Sequence, residues 1–546
     1  MNILGINAYH GDASAALVMD GELVAAVAEE RFNRQKHWAG FPRRSIQYCL
    51  DASHLSLADI DYVAVSRKPW KNWNLKLWNA LRHPKRSRER FSSARAIQTL
   101  ERELRVFAPE HGLAPRTKII QVEHHLSHAA SAFYVSGFSD AAILSMDGFG
   151  DYSSTLLAEG LDVRLRELGR VTFPHSLGVV YTAISQYLGF PHYGDEGKVM
   201  ALAAFGQPVH LDAFRGIVLD APNQLFELDL NCFTHASEGV AMTWAGGSPE
   251  IGRLYSDALE KLLGPARRPG EKIDQRLRDV AASLQARVEE VILRVASGLA
   301  TKTKARRLCV AGGVALNSVA NRRLLLESGF DDIYVQAAAA DDGTAIGAAL
   351  YVCHEILRHP RGFVMEHANY GPEFSDKEID QALAQAGLTP TIVERPEAEA
   401  AKAISEGKVV GWFQGRMEYG PRALGNRSIL ADPRQADMKQ ILNDRVKHRE
   451  TFRPFAPSVL AEKTGAFFEC SHASPFMLLV YRARADKASQ IPSVLHTDGT
   501  GRLQTVTPTQ NPRYYALIQE FEKLTGVPIV LNTSFNDTEP IVCTPS

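Results

Sequence analysis

The chain has few cysteines and arranges none of them for chemistry. Its six (Cys49, Cys232, Cys309, Cys353, Cys470 and Cys543) form no C-x-x-C pair and lack the density of a disulfide scaffold, so they read as reduced and mostly buried. An excess of positive charge is also missing. Lys and Arg number 61 against 62 Asp and Glu, a formal charge of -1, which argues against broad capture of nucleic acid or anionic membrane. No apolar run is long enough to span a bilayer, and Met1 leads into N-I-L-G-I-N without a basic n-region, so no signal peptide is expected. These absences predict a cytoplasmic protein with small-molecule partners. At 546 residues the chain exceeds one hydrophobic core, and two or three domains are expected.

Against this background His124-His125-Leu126-Ser127-His128 stands out. Imidazoles four residues apart on a helix lie one above the other and can share a metal ion. The Glu that serves a zinc protease of the H-E-x-x-H kind as general base is replaced by His125, so the ion would need another task. Asp147, together with Asp341 from the run AAAADDGTAIG, would complete a set of two imidazoles and two carboxylates. That mixture suits iron, manganese or zinc. Helix capping by Asp341 or Asp342 is the plainer reading of the second carboxylate.

The N-terminal third reads as strands joined by tight turns, with an Asp20-Gly21 hairpin signal. ILGINAYHGDASAALV from Ile3 lines up with ILSMDGFGDYSSTLLA from Ile143: Asn7 falls opposite Asp147, Gly11 opposite Gly150 and Asp12 opposite Asp151. Such a duplication predicts an actin-like nucleotide-binding fold. The strand and Gly312-Gly313 turn in VAGGVALN would let a nucleotide approach the backbone. The expected domains are 1–360 and 377–546, with 361–376 as linker. The second carries many cations, among them Arg416, Arg422, Arg427, Lys447, Arg449, Arg453 and Arg502. Several sit beside Phe452, Pro454, Phe455 and Pro457, and a buried arginine needs an anionic partner, so an oxyanion pocket is expected. Lys68 to Arg90 mixes tryptophans with bases; it is read as a helical flap or as a contact in a homodimer.

The markers G-x-N-x-x-H-x-D-A-S-A-A-L-V, HHLSHAASAF, M-D-G-F-G-D, D-E-G-K-V-M-A-L-A, AGGVALN, GPRALGNRSILADP, VKHRETFRPFAP, HTDGTGRLQTV and LNTSFN follow one another in order. In these the chain resembles the O-carbamoyltransferases of the NodU/CmcH family, those of nodulation and antibiotic tailoring. The resemblance implies an α/β architecture: a duplicated actin-like (ASKHA) ATPase domain followed by a YrdC-like α/β domain. It implies that carbamoyl phosphate and ATP yield carbamoyl adenylate, whose carbamoyl group passes to a hydroxylated small-molecule acceptor, a natural product or sugar. By the same resemblance His124, His128, Asp147 and Asp341 match metal ligands, with Fe(II) expected and Mg as companion to ATP. Gly148, Glu196, Lys198, Gly312, Gly313 and Asn317 match nucleotide-binding segments. Arg422, Lys447, Arg453, Arg502 and Ser534 match the carbamoyl phosphate pocket, and His10 and Lys36 match groups near the transfer site. His10, Lys36, Arg422 and Lys447 are thus the expected catalytic residues, with His10 as general base because imidazole titrates near neutrality. The family pattern continues past LNTSFNDTEPIVCTPS, so a truncated C-terminus is expected. A tRNA threonylcarbamoyl transferase would lack the GPRALGNRSILADP and VKHRETFRPFAP segments, and an ATP-binding scaffold would need no arginine pocket.

Overall fold

A computed structural model describes residues 1–76, 92–107, 113–240, 242–243, 247–470 and 472–546. The chain divides into two compact units, Met1–Val364 and Met365–Ser546. Both are mixed α/β. Among the described residues no helix is long and apolar enough to cross a membrane.

The first unit repeats one sheet topology. Strands β1 (Asn2–Asn7), β2 (Ser14–Met19), β3 (Glu22–Ala28), β4 (Tyr62–Val65) and β5 (Lys118–Gln121) lie in the order β3-β2-β1-β4-β5. β1, β2 and β3 form an antiparallel meander, and β4 and β5 extend it in parallel from β1. A second sheet follows the same plan: β6 (Asp140–Gly150), β7 (Ser153–Leu161), β8 (Arg164–Thr172), β9 (Arg307–Ala311) and β10 (Asp332–Val335), ordered β8-β7-β6-β9-β10 with the same pairing senses. The likeness reaches the backbone of the turns, where Asp12 and Asp151 both adopt positive φ. Apolar runs such as ILGI make β1 a central strand, and Leu4, Ile6, Leu17, Ile46, Leu50 and Val63 form the core of the first sheet.

Helix α1 (His124–Phe133) packs on β6, and α2 (Leu177–Tyr187) and α3 (Glu196–Ala203) follow the second meander. The long α4 (Gln275–Thr303) covers α3 and α5 (Ser318–Glu327). Helix α6 (Thr344–Leu350) is rich in small residues and touches both α1 and β1. There a Cβ on Gly347 would stand 1.7 Å from Ser127 O, and one on Gly5 2.0 Å from Ala345 O. The backbones themselves are in contact at both points.

Residues 361–376 are held rather than free. Arg361 donates to Phe133 O and Phe138 O, each at 2.8 Å, within the first unit. Gly371 N donates to Met417 O at 2.8 Å within the second. The second unit is built on β11 (Val410–Phe413), β12 (Arg427–Ala431), β13 (Ala456–Leu460), β14 (Gln504–Val506) and β15 (Ile529–Ser534), ordered β11-β12-β15-β13-β14. Only β13 and β14 pair in parallel in that sheet.

Candidate functional site

The first cluster begins with how α1 starts. Glu123 caps it, accepting from Leu126 N at 2.9 Å, and is itself held by Arg170 at 2.7 Å in a buried pair. Helical spacing then sets His124 and His128 side by side, their Nε2 atoms 3.2 Å apart. Gly150 makes room, since a Cβ there would lie 2.0 Å from the His124 ring. His125 points elsewhere: it meets Ser145 Oγ at 2.8 Å, and burial, then His124 and His128, hold it well below the usual imidazole value.

Asp147 reaches the imidazoles because β6 leaves its ladder between Met146 and Gly150, an irregularity that re-aims the side chain. Its Oδ2 lies 3.2 Å from His124 Nε2 and 3.1 Å from His128 Nε2, while Oδ1 accepts from Gly313 N at 3.2 Å. The turn that supplies this donor needs glycine: Gly312 has φ +94, and a Cβ on it would meet Met146 O at 2.1 Å. Asp341, at the head of α6, brings Oδ1 to 3.5 Å from His124 Nε2 and 3.3 Å from His128 Nε2. That oxygen is buried and accepts no hydrogen bond.

These edges test the fit to a metal. Four ligands at about 2.0–2.1 Å from one cation stand about 3.3 Å apart in a tetrahedron, and the five measured edges run from 3.1 to 3.5 Å. The residues fit a first-row divalent ion. Beside them the His10 ring lies 5.4 Å from that of His124, with Nδ1 in close contact with Asp341 Oδ2.

Around this centre the expected residues divide. Gly148 O accepts from Ser176 Oγ at 2.9 Å, and the space beside its Cα is open. Asn317 caps α5 through Ala320 N at 3.1 Å and joins Gln285 at 2.9 Å, so its amide serves the framework. Glu196 accepts from Thr182 at 2.5 Å, and Lys198 pairs with Asp195 at 2.8 Å. Lys36 is exposed, and its neighbour His37 takes the inward place, 2.7 Å from Asp12. Burial alone would lower His37, but Asp12, Glu30 and Glu196 raise it to about 9. Asp342, buried beside Asp12, is pushed up to about 8. Of the tryptophan segment only residues 68–76 and the bases and indoles they carry can be placed: Trp70 and Trp73 are exposed, Lys68 N donates to Asp151 at 2.7 Å, and 77–90 lie outside the described residues.

The second cluster occupies the second unit. The buried Glu418 carboxylate accepts from Leu424 N and Asn426 N at 2.7 Å and from Arg427 N at 3.2 Å, which folds the loop carrying Arg422. The cations then separate into two kinds. Arg427 stacks 3.6 Å from the Phe413 ring centroid and donates to Gln414 O at 2.7 Å; Arg416 donates to Tyr370 O at 2.8 Å. Lys447 directs its ammonium to Ser534 O and Asn536 O, each at 2.6 Å, joining it to Ser534. These three support the chain. Arg422, Arg453 and Arg502 are the second kind, and Arg449, although it donates to Asn443 Oδ1 at 2.8 Å, crowds against them. Burial and then Arg453 bring Arg422 down to about 10 and Arg449 to about 9, and Arg502 is held well below its usual value by burial and by the other three. The Nε atoms of Arg422 and Arg502 are buried without a hydrogen-bond partner. An anion would relieve this pressure, because guanidinium does not readily give up its proton. Arg449 was expected among the clustered cations but not among the carbamoyl phosphate residues, and nothing local in the sequence signalled Glu418.

Residues 2–350 match the family described as carbamoyltransferase N-terminus, and 401–546 that described as carbamoyltransferase C-terminus. The nodulation protein NolNO of Sinorhizobium fredii is 41% identical over 98% of this chain and 76% of its own length. Nodulation protein U of the same organism is 28% identical over 98% and 94%. Among solved structures, HypF of T. kodakarensis aligns with TM-score 0.35 and 12% identity over 66% of this chain and 48% of that one. The chain belongs to the NodU-type carbamoyltransferase family and is a carbamoyltransferase.

Proposed function

We propose that this carbamoyltransferase takes its carbamoyl group from carbamoyl phosphate, activates it with ATP as carbamoyl adenylate, and delivers it to a hydroxyl of a small-molecule natural product or sugar. The observation that carries the reading is that one chain holds two sites of opposite chemistry: a His-His-Asp-Asp cluster suited to a cation, and half-buried arginines, two with buried and unpartnered Nε atoms, that want an anion. The duplicated sheets suit an actin-like ATPase, and the second unit would be its YrdC-like companion.

In the second unit water would cleave carbamoyl phosphate to carbamate and phosphate, and a carbamate oxygen would attack the α-phosphorus of ATP, expelling pyrophosphate. Carbamate is a weak nucleophile, so Arg422, Arg449, Arg453 and Arg502 would hold it and the phosphates in line and offset charge growing on the oxygens. Lys447 is a positioning residue in this scheme, holding Ser534 and Asn536 beside the pocket. In the first unit the acceptor hydroxyl would attack the carbamoyl carbon, lose its proton and release AMP. His10 would take that proton at Nε2, since Nδ1 is engaged by Asp341. His124, His128, Asp147 and Asp341 would hold a first-row divalent ion, Fe(II) by family resemblance, whose Lewis acidity stabilises charge on phosphate oxygens.

The test is pyrophosphate release from the purified protein. Release that needs both ATP and carbamoyl phosphate and disappears in Arg422→Ala is expected. Release without carbamoyl phosphate, or an Arg422→Ala protein equal to the parent, overturns the adenylation step. If His10→Asn still transfers from supplied adenylate, His10 is not the base.

A further inference from the structure

A tight turn at Asp341–Gly343 leads into helix α6, which runs on into a π turn, Tyr351–Ile356. Such turns are rare and concentrate at functional sites. Here Leu357 N donates to Val352 O at 3.0 Å, the i→i+5 bond that widens the turn and reduces the angle between successive side chains. Cys353 and His354, adjacent in sequence, can therefore face one point. The chain then doubles back: Arg358 takes φ +59, unusual for a residue of its size, and His359 N donates to Cys353 O at 3.1 Å.

We propose that Cys353, His354 and His359 form a second metal site, for a zinc-class divalent ion, separate from the His-His-Asp-Asp cluster. One ligand atom from each of the three lies within 4.8 Å of the other two. Each ring also spends Nδ1-H on a backbone carbonyl, His354 on His359 O at 2.8 Å and His359 on Pro360 O at 3.0 Å. That leaves Nε2 as the lone-pair nitrogen, the tautomer that carbonyl partners impose on ligating histidines. Cys353 and His354 are fully buried, so packing fixes two of the three ligands.

The turn between β2 and β3 lies beside these rings. A Cβ on Gly21 would come 2.9 Å from His359 Nδ1 and 3.6 Å from His354 Cε1, so this turn presses on the ring pair. Its other residue, Asp20, acts electrostatically on both Cys353 and His359, though its carboxylate pairs with the Met1 ammonium at 2.7 Å, so a fourth ligand would be that carboxylate released from its pair or a solvent molecule. Thiolate with two imidazoles favours zinc and related borderline ions over magnesium or manganese. Binding exchanges the thiol proton for the ion. Helical rise puts Cys353 roughly 18 Å along the axis from Asp341, so one ion cannot serve both clusters.

Cobalt distinguishes the two, because only a sulfur ligand gives thiolate-to-metal charge transfer in the near ultraviolet. The whole protein, stripped with a chelator and titrated with Co(II), should bind two equivalents and develop that band. Cys353→Ser and the more exposed His359→Gln should each remove the band and one equivalent while leaving pyrophosphate release unchanged. Asp341→Asn should lose the other equivalent and keep the band; if it keeps both, the His-His-Asp-Asp cluster fails as a metal site and the cysteine site stands. A parent without the band at saturating Co(II), or a band that survives Cys353→Ser, overturns the proposal.

Discussion

At the head of α6 two carboxylates face two imidazoles, whereas around Arg502 three further guanidinium groups converge, and among the described residues Glu450 acts on only Arg449 and Arg453 of the four. The first arrangement balances itself. Burial opposes ionisation of Asp147, but contacts with His124 and His128 overcome it and hold that carboxyl well below its usual range. The arginine arrangement has no such balance and carries a standing cost that only an anion removes. A cation at the first site would replace protons; an anion at the second would supply charge that the fold omits. Ligand binding should therefore contribute to stability very differently in the two units.

The hardest test of this contrast is Arg502→Met. Pyrophosphate release should fall about a hundredfold or more, yet the melting temperature should rise, because an uncompensated buried charge is exchanged for an apolar side chain. A fall in melting temperature would break the comparison. Asp147→Ala should do the opposite in the first unit: it leaves two imidazoles to Asp341 alone, should cost about 3 kcal/mol in a denaturant titration, and should abolish transfer to the acceptor while pyrophosphate release continues. Inorganic phosphate sharpens the contrast. At about a hundred times its Kd it should stabilise the parent by about 2.7 kcal/mol and leave Arg502→Met unmoved in a thermal shift assay.

A smaller effect concerns pH. His37 sits at about 9 in the fold against an ordinary 6.5, so its contribution is present in full below 6.5 and is lost as pH rises through 9. Melting temperature should decline over that window in the parent and lose this slope in His37→Gln. Smallest of all, Lys36→Ala should change turnover by no more than about twofold, since removal of an exposed surface side chain rarely matters.

What could be read from the sequence followed from local spacing and repetition. His124 and His128 lie on one helical face by period alone, and the Ile3 and Ile143 repeats announce two meanders that the strand orders reproduce. The parallel additions β4, β5, β9 and β10 come from distant segments and carried no such mark. Choices between neighbours were hidden too. Lys36 and His37 differ by one position, and only packing against Asp12 and Glu30 decides which turns inward. Among the cations, composition marked the cluster, but carbonyl partners that sort Arg427 and Lys447 from Arg422 and Arg502 lie up to 116 residues away in the chain. Glu418 became visible only through the three backbone donors wrapped around it.

The glycine contacts of α6 have a consequence for how its carboxylate is held. A helix seated through side chains can shift by a rotamer when a neighbour changes; one seated main chain to main chain, at Gly5 and Gly347, has nothing to rearrange. Asp341 thus takes its address at the moment the chain folds, before any ligand arrives, and the ordering entropy is spent in folding rather than in binding. The same rigidity leaves no tolerance: even a methyl at Gly347 would displace the helix, and the carboxylate with it.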